Sequence, residues 1–235
     1  MGLLSQELNQ GKTGDVNPAK TASLITEQDN SEIWAPKKLE AEIERQAAEY
    51  QRLEFNKPLK ISANHLKDEI MKLITPQPEA FRGRFDIPVV VFGQIPPEVQ
   101  AKLLRIDNRE FSRIIDWLKD PMGYKTPNKT YLAWMQDGKP LKYHFKSADD
   151  VRAALDTDER GATILDGLGL YASHPNLLLR TRGEEYTFNL ALPGSQEINS
   201  GDVPNLIWWN GLPHMMFQSS ATNLGQEYRF VSCGK

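Results

Sequence analysis

Apolar and polar positions alternate with period two through the stretch from Glu184 to Cys233. Tyr186, Phe188 and Leu190 alternate with Thr187, Asn189 and Ala191, and Tyr228, Phe230 and Ser232 alternate with Arg229, Val231 and Cys233. Between them, Leu206-Ile207-Trp208-Trp209 runs into Asn210-Gly211, and His214-Met215-Met216-Phe217 follows. Such alternation, bounded by Gly, Pro and Asn, predicts half-buried strands at 185–191, 205–209, 214–218 and 227–233. Upstream, the continuous apolar run from Ile87 to Phe92 predicts a central buried strand. Tyr131 to Met135 predicts another, and Asp137-Gly138 signals a hairpin into a strand at 140–145.

Elsewhere the apolar period lengthens to that of a helix. Pro36 suits a first helical position, and Leu39, Ile43, Ala47, Tyr50 and Leu53 form one stripe of a charged helix over 36–55. Packing of that stripe within the chain is expected ahead of packing on a partner. Ser62 can cap a second helix with Leu66, Ile70, Leu73 and Ile74 on one face. Helices are also expected from Pro97 to Leu104, around Phe111 to Leu118, from Ser147 to Leu155, and after Thr163. The last of these stops at His174-Pro175, where a proline ends the helix and a histidine suits its negative end. The predicted class is α+β, a mostly antiparallel sheet with amphipathic helices on one face.

Residues 1–33 break this pattern. They are polar, lack aromatic side chains, and cannot bury enough apolar surface to offset the entropy of ordering. The segment reads as a solvated tail or a docking arm ahead of a single domain over 34–235, with Leu3, Leu4, Leu8, Leu24 and Ile25 as its apolar anchors. It carries Lys12 and Lys20 against Glu7, Asp15, Glu27, Asp29 and Glu32, so the whole formal charge of −3 sits there. A neutral body with an acidic tail lacks the cationic footprint of a nucleic-acid binder. Cys233 is the sole cysteine, which excludes an intrachain disulfide. No apolar run approaches a membrane span and no signal peptide is evident, so no membrane association and a cytoplasmic location are expected.

From Val89 onward an ordered set of landmarks appears. Pro97-Glu98 precedes a helix, Tyr131-Leu132 precedes Asp137-Gly138, and Asp166-Gly167 precedes His174-Pro175 and Leu178. Phe188-Asn189-Leu190-Ala191, Gly201-Asp202-Val203-Pro204 and a closing Ser232-Cys233 complete the series. Over roughly residues 89–233 this order resembles an uncharacterised bacterial domain-of-unknown-function family. That family has a Gly-Asn-Pro-His stretch near its end, where this chain has Thr222-Asn223-Leu224-Gly225. The resemblance implies a fold and a bacterial or phage source, and no activity.

Candidate chemistry is sparse. Gly11-Lys12-Thr13 lacks the glycine and the strand that a phosphate loop needs before it. His65, His144, His174 and His214 are scattered without metal-ligand spacing, so no metal and no cofactor are expected. No Gly-x-Ser-x-Gly elbow occurs, and Cys233 reads as a packed apolar residue. Asp149-Asp150, Asp156, Asp158 and Glu159 read as a solvated acidic loop. The expected function is a non-catalytic interaction or accessory component of a larger bacterial or phage assembly. It would be recruited by a protein partner through the tail and first helix, with Trp209, Met215 and Phe217 as further contacts. The alternative is a small-molecule-binding or hydrolytic domain with a site near the Trp209/His214 hairpin.

Overall fold

Proline 36 begins α1 (Pro36–Arg52) in the computed structural model, which describes residues 34–106, 118–119, 123–136, 143, 145–179, 189–209, 212–224 and 228–235. The tail anchors Leu3, Leu4, Leu8, Leu24 and Ile25 lie outside the described residues, as does the helix expected around Phe111. The stripe Leu39, Ile43, Ala47 and Tyr50 is buried within the chain, together with Gln46. That is the packing within the chain expected ahead of packing on a partner. The helix stops at Glu54, which adopts a left-handed φ of 62°. Glu54 N–H donates to Gln51 O and Phe55 N–H to Tyr50 O. Phe55 meets Tyr50 edge-on, with ring centroids 4.8 Å apart. These bonds make a Schellman stop with glutamate where glycine is usual.

The chain continues through α2 (Asn56–Leu59) and α3 (Ala63–Met71), and Ser62 caps α3 by accepting the His65 N–H. A 3-10 turn at Glu79–Phe81 leads into β1 (Ile87–Phe92), then α4 (Pro97–Leu103), β2 (Leu118–Lys119) and β3 (Thr130–Met135). Next come α5 (Ala148–Ala154), β4 (Glu159–Gly161), α6 (Ile164–Ser173) and α7 (Asn176–Leu179). The chain closes with β5 (Asn189–Ala191), β6 (Gln196–Glu197), β7 (Asp202–Trp209), β8 (Leu212–Ser219), β9 (Tyr228–Phe230) and β10 (Ser232–Gly234). Of the strand expected at 140–145, Tyr143 lies in a 3-10 turn and Phe145 has φ 57°, a left-handed backbone that no strand admits. The hairpin signal Asp137-Gly138 lies outside the described residues.

The fold is α+β, with its strands divided between two four-stranded sheets and a short β2–β6 ribbon. The first sheet runs β1-β3-β10-β4, with every neighbouring pair antiparallel. The second runs β8-β7-β5-β9 and is antiparallel except for β5–β9. The strand expected over 227–233 is split between them. Val231, fully buried, donates its N–H to Ala191 O and accepts from Ala162 N–H, so one residue hands the chain from one sheet to the other.

β1 was expected at the centre of a sheet, yet among the described strands it pairs only with β3. Its burial comes from helices. Gly169 of α6 sits so close that an added Cβ would lie 2.9 Å from Val90 O, which lets the helix backbone lie against the strand. On the open edge, Gln46 and Tyr50 of α1 take the place of a neighbouring strand, with Gln46 Nε2 donating to Pro88 O and Tyr50 Oη to Val90 O. The second sheet is covered on both faces. Leu190, Leu206 and Met215 belong to the main core, while Ala191, Val203 and Phe230 pack with Val151 of α5, Tyr143 and Leu224.

Candidate functional site

Three places concentrate chemistry among the described residues: a buried ion pair, a polar groove, and the outer edge of β8.

The ion pair joins Arg160 of β4 to Asp166 of α6. Arg160 Nη1 lies 2.5 Å from Asp166 Oδ2, and Nη2 donates to Oδ1 at 3.0 Å. Asp166 also completes the capping box of α6, accepting from Thr163 N–H (2.7 Å) and Oγ1 (2.8 Å), and it accepts Tyr131 Oη at 2.9 Å. Burial alone would raise the Asp166 carboxyl; the Arg160 guanidinium and the Thr163 donors outweigh it and hold it below the usual carboxylate range. The Tyr124 ring stacks on the guanidinium, 4.0 Å from Cζ to centroid. Cys233 is fully buried, and burial pushes its thiol up, so it stays protonated and inert. With both charges buried and held by several bonds, this pair fastens β4 to α6.

Next to it, Glu159 corrects the reading of a solvated acidic loop. It is buried, accepts from Ser232 Oγ at 2.5 Å and from Gln136 Nε2 at 2.9 Å, and Gln136 also bonds Ser232. Asp156 and Asp158 are tied to Arg84 at 3.0 and 2.8 Å. These acids close the fold around the end of β10. Among the described residues no group of three or more His, Cys, Asp or Glu is placed to hold a metal ion.

A groove of about 500 Å³ opens where α1 meets the end of α6, lined by Glu42, Arg45, Glu49, Ser173, His174 and Asn176 among others. Ser173, His174 and Glu42 stand in the order of a nucleophile, a base and a carboxylate. Ser173 Oγ is 2.9 Å from His174 Nδ1, and His174 Nε2 is 3.5 Å from Glu42 Oε1. The proton directions run the wrong way for that chemistry. Ser173 is buried and donates its hydroxyl to Gly169 O at 2.8 Å, so Nδ1 must be the donor to Oγ. Burial pushes His174 down to about 4 against the pull of Glu42, with Arg45 adding to the fall. Glu42 is itself engaged: burial would raise it, but Arg45 and Gln46 bond it and hold it low. The charge–dipole role expected of His174 is thus replaced by a neutral ring wedged at the helix end. The sequence showed Glu42 and Arg45 only as part of a charged helix face, so this groove had no signal of its own.

The partner contacts expected at Trp209, Met215 and Phe217 lie on the β7–β8 hairpin, where Met215 is corrected to a core residue. The register pairs Trp209 with Leu212, Ile207 with His214, Asn205 with Met216 and Leu206 with Met215. Side chains of directly paired residues share a face. Met215 therefore points with Leu206 into the main core and is 2% exposed, whereas Leu212 and Met216 point the other way and are 54% and 42% exposed. Phe217 is half-buried and packs against the core cluster. Trp209 is placed by its backbone alone, at the end of β7. Alternation predicted that Met215 and Met216 face opposite sides; the structure makes Met216 the exposed one. His214 is half-buried on the Leu212–Met216 face.

Both prolines of the hairpin reveal how its edge is arranged. Pro213 pairs with Trp208 and Pro204 with Phe217. Antiparallel pairs alternate between hydrogen-bonded and open, and proline has no N–H to give, so both fall on open pairs. Met215 shares their parity. The N–H and C=O of Met215 and Phe217 therefore point away from β7, along with the carbonyl of Pro213. Among the described strands nothing pairs with that outer side. The strand's eight residues include no Asp, Glu, Lys or Arg.

Compared with known proteins, the chain matches no family model, no curated protein and no solved structure. Among the described residues no helix is long and apolar enough to cross a membrane.

Proposed function

We propose that this chain is a non-catalytic interaction module, an accessory component of a larger bacterial or phage assembly, and that it docks through the exposed Leu212–Met216 face of β8. One observation carries the reading: Leu212 and Met216 stand exposed on one face of an eight-residue strand that carries no charged side chain. Exposed apolar side chains on a strand without charge are what a partner's apolar surface covers. The tail residues Leu3, Leu4, Leu8, Leu24 and Ile25 supply a second contact in this reading. The alternative, a small-molecule or hydrolytic site at the hairpin, would be built around the half-buried His214.

The test is a photo-crosslinking amino acid placed at Met216 in the source cell, with Lys102 on α4 as the control position. Protein adducts formed from position 216 and not from 102 support the docking face. Equal labelling from both positions, or none from 216, overturns it.

A further inference from the structure

We propose that the groove between α1 and the end of α6 binds a neutral, hydroxyl-rich ligand, a sugar of one or two rings. None of its lining residues belongs to β8, so this site stands or falls apart from the docking face.

The hydrogen positions around His174 carry the inference. Ser173 Oγ has one proton and gives it to Gly169 O, so His174 Nδ1–H donates to Oγ at 2.9 Å. The neutral ring is left with a bare Nε2, 3.5 Å from Glu42 Oε1. Two acceptors face each other there with no hydrogen between them. The His174 and Glu42 side chains are 26% and 16% exposed, so a molecule in the groove can reach both. A hydroxyl placed against them donates to one or the other and relieves the mismatch.

Charge decides what kind of molecule brings that hydroxyl. Arg45 holds Glu42 at 2.6 and 2.8 Å, Arg52 holds Glu49 at 2.5 and 2.8 Å, and His174 is neutral. A cation entering the groove finds both carboxylates taken, and an anion finds Arg45 taken. Uncharged groups that both donate and accept fit instead. Arg45 uses Nε and Nη2 on Glu42 and on the Ser173 carbonyl, while Nη1 is bonded to none of the described residues. The Arg45 side chain is half in solvent, so Nη1 can donate to a ligand oxygen. Asn176, exposed on the rim, adds an amide that donates and accepts. Pro175 and Leu177 supply apolar surface for the carbon-bound hydrogens of a sugar ring. A volume of about 500 Å³ falls within the range of small-molecule sites.

The experiment is an NMR titration of the isotope-labelled full chain at neutral pH, read at the ring nitrogens of His174. The probes are glucose, galactose, N-acetylglucosamine and maltose, with butylamine and acetate as charged controls. At least one sugar should move Nε2 toward the position of a hydrogen-bonded nitrogen and leave Nδ1 in place. That shift should saturate with a dissociation constant on the order of 1 mM, and neither control should produce it. Asn176→Ala, at an exposed position, should weaken binding about threefold or more with an unchanged melting temperature. No shift at His174 with any of the sugars at about 50 mM overturns the proposal. So does an equal shift with butylamine or acetate, or sugar binding indifferent to Asn176→Ala.

Discussion

The Gln46 side chain of α1 stands in for a strand beside Val90. Its Oε1 accepts the Val90 N–H at 3.0 Å while its Nε2 donates to the Pro88 carbonyl at 2.6 Å. One amide thereby satisfies both a donor and an acceptor on the open edge of β1, and Tyr50 Oη adds a bond to the Val90 carbonyl at 2.6 Å. Farther along, Gln100 of α4 donates to the Phe92 and Ile95 carbonyls. A buried edge would otherwise leave backbone groups without partners, each costing about 1–3 kcal/mol.

Gln46→Met keeps the length of this side chain and removes both edge bonds, together with the one to Glu42. Val90 N–H and Pro88 O would be stranded together, so the variant should lose roughly 2–5 kcal/mol. Tyr50→Phe, which gives up a single hydroxyl, should lose about 1–2 kcal/mol. Urea titrations of the two variants give the comparison. Equal losses would mean that the amide's two bonds are not the main cover of this edge.

Glu54 should be improved by glycine. A residue with a side chain in the left-handed region costs about 1–2 kcal/mol, part of which the greater freedom of unfolded glycine takes back. The ion pair to Lys57 at 2.7 Å is exposed on both sides and worth little. Glu54→Gly should therefore stabilise the fold by about 0.5–1 kcal/mol, read as a higher melting temperature. A loss of stability would show that Glu54 does more than occupy the stop of α1.

Local signals in the chain were legible, and long-range ones were not. The Val89-Val90-Val91 run, the Leu39–Ile43–Tyr50 stripe and the caps Ser62 and Thr163 are all set by neighbours in sequence, and each forms as expected. β4 was missed because Glu159-Arg160-Gly161 looks solvated until Gln136, Ser232 and Asp166 arrive to satisfy it. β1 was put in the centre of a sheet because burial reads the same whether strands or glutamines cover an edge. At the hairpin, period two separates Met215 from Met216, but only the core decides which of them faces out. The split at Val231 falls inside an unbroken alternation, since both sheets ask for the same extended backbone.

Acid should weaken the α1–α6 junction through His174. In the unfolded chain this histidine titrates near 6.5, and in the fold, where burial opposes its charge, near 4. Between those values the unfolded state holds the extra proton, so its contribution is complete above pH 6.5 and lost as pH falls toward 4. The loss approaches about 3 kcal/mol. Glu42 acts in the same direction, since its carboxyl is held below the ordinary value and must be protonated as the fold is acidified. Stability measured by urea at pH 7.5 and pH 4.5 should differ more for the natural sequence than for His174→Asn. An undiminished difference in the variant would place the acid sensitivity elsewhere.

Arg160 and Asp166 should behave as one unit. Neither reaches solvent, with 3% and 0% exposure, so removing one partner leaves the other charge buried without compensation, at a cost of about 3–5 kcal/mol. Arg160→Met strands a carboxylate that still accepts from Thr163 and Tyr131. Asp166→Asn strands a guanidinium stacked on Tyr124 and unpicks the capping box of α6. Once either is gone, losing the second removes a group that is already destabilising, so the double variant should cost little more than a single one. A double-mutant cycle in urea reads the coupling directly. If the two losses simply add, the pair is two independent packing residues, and β4 is fastened to α6 by its backbone alone.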